Sequence, residues 1–197
     1  MRKLVVLTFI TLDGVMQAPG GKGEDPSDGF DLEGWTVPYF DEALGKEMAK
    51  QMSQPFDLLL GRKTYEIFAS YWPHQGDDNP INRATKYVVA NEALETDWGK
   101  TVRIDGDVVA GIDKLKQQEG PMLQVHGSGN LIQTLLANDL ADELWLKVFP
   151  VTLGKGKRLF GEGTIPAAFK LTESMTSPSG VIVTSYVRDG EVRLGSF

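Results

Sequence analysis

Met122-Leu123-Gln124-Val125-His126-Gly127-Ser128-Gly129-Asn130-Leu131-Ile132-Gln133-Thr134-Leu135-Leu136 joins an apolar run, a small-residue turn and a helical pattern at Leu131, Ile132, Leu135 and Leu136. The spacing predicts a strand, a glycine turn and a helix N-terminus. Glycines let the main chain approach a ligand closely, and the first turn of a helix offers free N–H groups at the positive end of its dipole. An anion such as a pyrophosphate is favoured there. An ordinary strand-to-helix connection reads the same way, because Gly-x-Gly alone carries little information.

A second unit of this kind lies upstream. Phe56-Asp57-Leu58-Leu59-Leu60 reads as a buried strand, and Gly61-Arg62-Lys63-Thr64-Tyr65-Glu66-Ile67-Phe68 turns straight into a helix. Two adjacent cations at a helix start oppose the dipole, and a multiply charged phosphate between them and the helix explains their presence. The spacing is not that of a Walker A loop. Thr85-Lys86-Tyr87-Val88-Val89-Ala90 is a further strand, ending at Asn91, whose short polar side chain suits a nucleotide ribose.

Composition sets the frame. The 197 residues fit one domain over 1–197 with a full core. A formal net charge of −7 argues against sequence-independent nucleic-acid binding, which needs a basic footprint. With no cysteine, disulfides, thiolate zinc sites and a cysteine nucleophile are excluded. His74 and His126 are the only histidines, and no metal-binding motif contains them. Leu4-Val5-Val6-Leu7-Thr8-Phe9-Ile10 reads as a buried strand rather than a signal peptide, and no apolar run reaches the roughly 20 residues of a membrane span. A cytoplasmic location is expected.

Asp13 and Gly14 follow that first strand, where ligands sit in open α/β sheets, although a plain Asp-Gly turn has the same sequence. Residues 18–34 are rich in Gly, Asp, Pro and Ser and form a lid-like loop. The acids Asp25, Asp28 and Asp31 are spaced wrongly for a calcium loop and read as solvated charge. Phe40, Leu44, Met48 and Met52 mark the buried stripe of the next helix, with Asp41 at its start, where capping competes with any catalytic role. Residues 71–83 form a second long loop, Val102-Arg103-Ile104 a short strand, and Asp107 caps a helix through Leu115. Residues 142–150 read as a strand. Phe169-Lys170-Leu171-Thr172-Glu173-Ser174-Met175 and Val181-Ile182-Val183-Thr184-Ser185-Tyr186-Val187 form a hairpin across Ser177-Pro178-Ser179-Gly180. The order predicts a mixed sheet, largely parallel, with an antiparallel edge.

Four motifs, in order and on element boundaries, carry a resemblance. They are Thr11-Leu12-Asp13-Gly14-Val15, Gly61-Arg62-Lys63-Thr64-Tyr65-Glu66, His126-Gly127-Ser128-Gly129-Asn130-Leu131, and Pro150-Val151-Thr152-Leu153-Gly154-Lys155-Gly156-Lys157-Arg158-Leu159-Phe160. Together they resemble the dihydrofolate reductase-like fold. The nearest branch is the one shared by the reductase domain of the bifunctional riboflavin-biosynthesis protein and small stand-alone proteins. The resemblance implies a three-layer α/β fold, with a mixed, mostly parallel sheet, helices on both faces and a C-terminal antiparallel hairpin.

It also implies NADPH as hydride donor. On that reading Gly61, Arg62, Lys63 and Thr64 hold cofactor phosphates, Asn91 lies near the adenosine, and Gly127, Ser128, Gly129, Asn130 and Leu131 cradle the pyrophosphate. Dihydrofolate reductases carry an acid on the first helix, and here Phe40 occupies its position with Asp41 one residue later, about 100° around a helix. Asp41 and Asp13 are therefore competing catalytic or anchoring acids. Val15, Trp35, Phe40, Phe68 and Trp72 are expected to line the substrate pocket, plain core packing being the alternative for each aromatic. The expectation is an NADPH-dependent oxidoreductase acting on a small pterin- or pyrimidine-like heterocycle or a carbonyl compound. The alternatives are a riboflavin-pathway ribosylamino-pyrimidine reductase and a nucleotide-binding regulator without turnover. An uncovered terminal edge strand suggests a homodimer.

Overall fold

The computed structural model describes residues 1–196. The strands are β1 (Leu4–Thr11), β2 (Phe56–Gly61), β3 (Lys86–Val89), β4 (Thr101–Ile104), β5 (Met122–Val125), β6 (Glu143–Phe149), β7 (Phe169–Thr176) and β8 (Ile182–Arg188). The helices are α1 (Glu42–Gln51), α2 (Arg62–Tyr71), α3 (Pro80–Arg83), α4 (Val108–Gln117) and α5 (Gly129–Ala137). All eight strands join one sheet in the order β4-β3-β2-β5-β1-β6-β8-β7. The first six in that order run parallel, and β8 and β7 are antiparallel additions. This is the mixed, mostly parallel α/β sheet with a terminal hairpin that the sequence pattern implies.

Strand β1 sits between β5 and β6, covered on both faces, which is why its sequence is an almost unbroken apolar run. Leu4, Val6 and Ile10 pack with Ile112 and Leu115 of α4 and Leu131, Ile132, Leu135 and Leu136 of α5. On the opposite face, Leu58 and Leu60 of β2 meet Tyr65 and Ala69 of α2, and Leu44 of α1 meets Phe149 of β6. Each of these fully buried aliphatics contributes about 1.5–3 kcal/mol.

Several expected details differ. Phe40 does not start the stripe of α1: it precedes the helix, is 46% exposed, and leaves Leu44 as the stripe's buried residue. The second long loop contains α3, where Pro80 follows the Asn79 cap and presets the backbone of the first turn. The loop at 18–34 is held down by its own side chains. Glu24 accepts from the Gly20 and Gly21 amides, Glu33 from those of Gly23 and Asp25, and Phe30 is buried with Ala18 and Trp35. Among the described residues no helix is long and apolar enough to cross a membrane, and no group of acids and histidines could hold a metal ion.

Candidate functional site

Strands β2 and β5 are direct parallel neighbours, so their two glycine turns emerge side by side at the carboxyl edge of the sheet. The Gly61 amide donates to the Gly127 carbonyl at 3.1 Å. A Cβ on Gly61 would lie 2.2 Å from Ser128 Oγ, and one on Gly127 would lie 2.6 Å from Thr64 Oγ1. Neither position has room for a side chain, so glycine is what allows the turns to touch.

Helices α2 and α5 both begin at this contact. Neither has a side-chain cap, whereas α1, α3 and α4 are capped by Asp41, Asn79 and Asp107. Uncapped first-turn N–H groups need another acceptor. The fold thus brings Gly61, Arg62, Lys63 and Thr64 against Gly127, Ser128, Gly129 and Asn130. The Leu131 side chain points elsewhere, into the core under α5, leaving only its main chain near the turn. Asn91 is exposed just beyond β3, next to β2 in the sheet.

The cations at the start of α2 are engaged by acids. Arg62 donates to Glu92 at 2.8 Å and lies 3.6 Å from Glu66. Lys63 pairs with Asp25, whose other oxygen accepts from Lys157 at 2.8 Å. Lys157 also donates to Ser27 Oγ at 2.7 Å. Asp25 is therefore not solvated loop charge. Its carboxylate is largely enclosed, and hydrogen bonds from Lys157, Lys63 and Ser27 outweigh the burial that opposes its charge and hold it well below the usual range. The lid-like loop is latched to α2 through Asp25, and to the 154–158 segment through Asp25, Ser27 and Asp31, the last paired with Lys155 at 2.7 Å.

Asp13 and Asp41, the expected catalytic acids, are both spent on main-chain donors. Asp13 accepts from Thr11 Oγ1 at 2.5 Å and from the Leu153 and Gly154 amides at 3.2 and 2.8 Å, with Arg158 3.6 Å away. The Thr11 hydroxyl, followed by those amides, lowers its pKa. Asp41 caps α1 by accepting from the Leu44 amide at 2.8 Å, and its second oxygen accepts from Ser179 N at 2.9 Å. These bonds, the Leu44 amide foremost, pull its carboxyl down to about 2. Both acids hold segments together, and neither is poised to give up a proton.

The expected pocket residues fall into two groups. Val15 is fully buried, and Trp35, whose indole donates to the Gln17 carbonyl at 2.8 Å, packs edge-on to Phe149 at 5.4 Å. Phe40 stands nearer the surface, 6.0 Å from Phe9. Phe68 packs 6.0 Å from Trp72 and 5.7 Å from the His126 ring. Between the groups, on the α1 face, runs a row of polar side chains that sequence reasoning missed. Lys147 Nζ donates to Gln51 Oε1 at 2.5 Å, Gln124 Nε2 to the Gln51 carbonyl at 3.3 Å, and His126 Nε2 lies 3.3 Å from Gln124 Oε1. Burial, aided by the Lys147 charge, pushes the His126 imidazole down to about 3. A signal existed: Leu144, Leu146 and Val148 share one face of β6, so Lys147 points to the other face of a doubly covered strand.

Comparison with known proteins places this geometry. A family model described as the RibD C-terminal domain matches residues 2–183. The chain belongs to that family. The chain is 26% identical to the uncharacterized protein YyaP of Bacillus subtilis over 196 residues, 96% of each protein. Its structure is similar to that of a putative riboflavin biosynthesis protein from Shewanella sp. PV-4, with a TM-score of 0.66, 25% identity, and coverage of 96% of this chain and 99% of the other. Dihydrofolate reductase from Enterococcus faecalis, solved in complex with NADP(H) and RAB-propyl, shares the fold. That match has a TM-score of 0.61 at 13% identity over 95% and 96% of the two chains. The chain thus has a dihydrofolate reductase-like fold and belongs to the family described as the RibD C-terminal domain.

Proposed function

We propose that this protein is an NADPH-dependent reductase of a small heterocyclic or carbonyl substrate. The observation that carries the reading is the pair of uncapped α-helices, α2 and α5, starting on two glycine turns in contact, whereas α1, α3 and α4 each carry a side-chain cap. A dinucleotide pyrophosphate supplies the acceptors those N–H groups lack, and the Arg62 and Lys63 cations supply countercharge for a 2′-phosphate. The residues fit the cofactor: main chain at Gly61, Gly127 and Gly129, the Thr64 hydroxyl, and Asn91 toward the adenosine side. When bound, the nicotinamide supplies a hydride.

The protein's own part is to hold both partners in register, exclude water and manage a proton. Arg62 and Lys63 exchange Glu92 and Asp25 for phosphate oxygens. The loop at 18–34, which Asp25 keeps tied to Lys157 when Lys63 turns to phosphate, covers the reacting groups. With Asp13 and Asp41 engaged by main-chain amides, proton handling falls to the polar row beneath α1. We include in the proposal a single domain over 1–197 and a homodimer through the exposed β7 edge, which scattering measurements of mass would test.

Calorimetric titration of the purified protein with NADPH and NADH tests the reading. NADPH is expected to bind about tenfold more tightly than NADH, with the difference removed by Arg62→Ala. Failure of both cofactors to bind would sink it. Tight binding without NADPH oxidation across pterins, pyrimidines and carbonyl compounds would favour a nucleotide-binding regulator instead.

A further inference from the structure

Lys147 has a relative exposure of 0%, and its ammonium makes one hydrogen bond, to the neutral Gln51 amide. It forms no ion pair among the described residues. A cation held this way is costly, because proteins ordinarily satisfy buried charge with an opposite charge or a full set of acceptors. An ammonium can donate three hydrogen bonds, so its capacity is mostly unspent.

Its surroundings explain what the spare capacity suits. Strand β1 lies between β5 and β6, so Phe9 of β1 pairs in register with Lys147 and the Nζ stands 5.8 Å from the Phe9 ring centroid. Phe40, reachable from solvent, is 6.0 Å from Phe9. His126 immediately precedes Gly127 of the cofactor turn, and its ring faces Phe68. Aromatic rings therefore flank both ends of the polar row, Phe9 and Phe40 at Lys147 and Phe68 and Trp72 at His126. Acids that would attract a cation are turned away: Asp13 and Asp41 bind main-chain amides, and Glu47 of α1 acts on Lys147 only at a distance.

We infer that Lys147 anchors an oxygen of the substrate, so that the site takes a flat ring bearing carbonyl or carboxylate oxygens and disfavours a cationic ring. This rests on the reductase reading and narrows its substrate class. The substrate oxygen supplies the acceptor that Lys147 lacks, and the Gln51 and Gln124 amides and the neutral His126 imidazole match ring donors and acceptors beside it. Burial, acting against the attraction of Glu47, lowers the Lys147 ammonium to about 7, so the proton it offers is loosely held. The polarity is the reverse of a site that orients a protonated ring with a carboxylate.

Three probes of one ring size test this by ligand-observed NMR and calorimetry: orotate, uracil and 2,4-diaminopyrimidine. The wild-type protein is expected to bind orotate about tenfold more tightly than 2,4-diaminopyrimidine, with the His126 ring resonances shifting on binding. Lys147→Met and Lys147→Gln are expected to abolish the preference while changing NADPH affinity by less than about twofold. A wild-type preference for 2,4-diaminopyrimidine, absence of orotate binding, or an unchanged preference in a folded Lys147 variant would overturn the inference. The wild-type comparison stands even where a variant does not fold. Loss of NADPH binding with Lys147-dependent orotate binding intact would remove the cofactor reading alone.

Discussion

The Gly61 amide and the Gly127 carbonyl are joined by a 3.1 Å hydrogen bond between two different strand-to-helix turns, and a methyl group on either glycine would collide with the other turn. Gly61→Ala is therefore expected to destabilise the protein by about 1–3 kcal/mol, the usual cost of overpacking. It should weaken NADPH binding as well, because both helix starts shift together. Urea unfolding and cofactor titration on the same variant check the pair of effects. An alanine variant with wild-type stability would show that the turns separate easily.

Lys147 imposes a sign on the pH dependence of stability. Its native pKa of about 7 lies below the ordinary value of 10.5, so between those values the unfolded chain binds more protons than the native one. Stability then rises with pH across that window, by up to about 1.4 kcal/mol per unit from this group. Lys86, lowered to about 8 by burial and by Lys100, adds in the same direction above its own value. Lys147→Met should flatten the curve between pH 7 and 8 and raise stability at neutral pH, which denaturant unfolding at a series of pH values will show.

Asp25 acts with the opposite sign. Its native pKa is depressed below 3.8, so its contribution is complete above that value and is lost as the pH falls through the native one. Asp25→Asn is expected to cost about 1–3 kcal/mol at pH 7 and progressively less in acid. The same variant releases Lys63 and Lys157, so limited proteolysis should find faster cleavage within residues 18–34. Unchanged cleavage would mean that the internal bonds of Glu24 and Glu33 suffice to hold the loop.

Asp13→Ala removes the acceptor for two main-chain amides and the Thr11 hydroxyl. We expect a loss of about 1–3 kcal/mol in stability, the cost of donors left without partners. Turnover per folded molecule, measured once a substrate is known, should persist. Complete loss of turnover in a folded Asp13→Ala protein would restore this residue as a catalytic acid.

What the sequence revealed follows from how local each signal is. The strand-glycine-helix units at Gly61 and Gly127 were legible because their turn residues and periodicity lie within a few positions of each other. Asp107 was legible as a cap for the same reason. Asp41 was legible as a cap too, its Leu44 partner lying 3 positions on, whereas its second bond and the role of Asp25 were not, because those partners are Ser179, 138 positions away, and Lys157, 132 positions away. Lys147 was overlooked because a charged residue in an apolar strand reads as solvent-facing until both faces of that strand are known to be covered. Phe40 was misplaced because helical spacing continues through a residue that lies before the first helical turn.

The central position of β1 has a consequence in time as well as space. Arg2 donates to the Pro121 carbonyl across 119 positions, and the Leu4 amide to Asp142 across 138. Every strand that flanks β1 is made long after it. During synthesis the apolar Leu4-Val5-Val6-Leu7 segment must wait, unpaired, until β5 and β6 leave the ribosome, since non-local pairing cannot close earlier. A nascent chain stalled before residue 122 should therefore bind chaperones at its N-terminal end, and a full-length chain should release them.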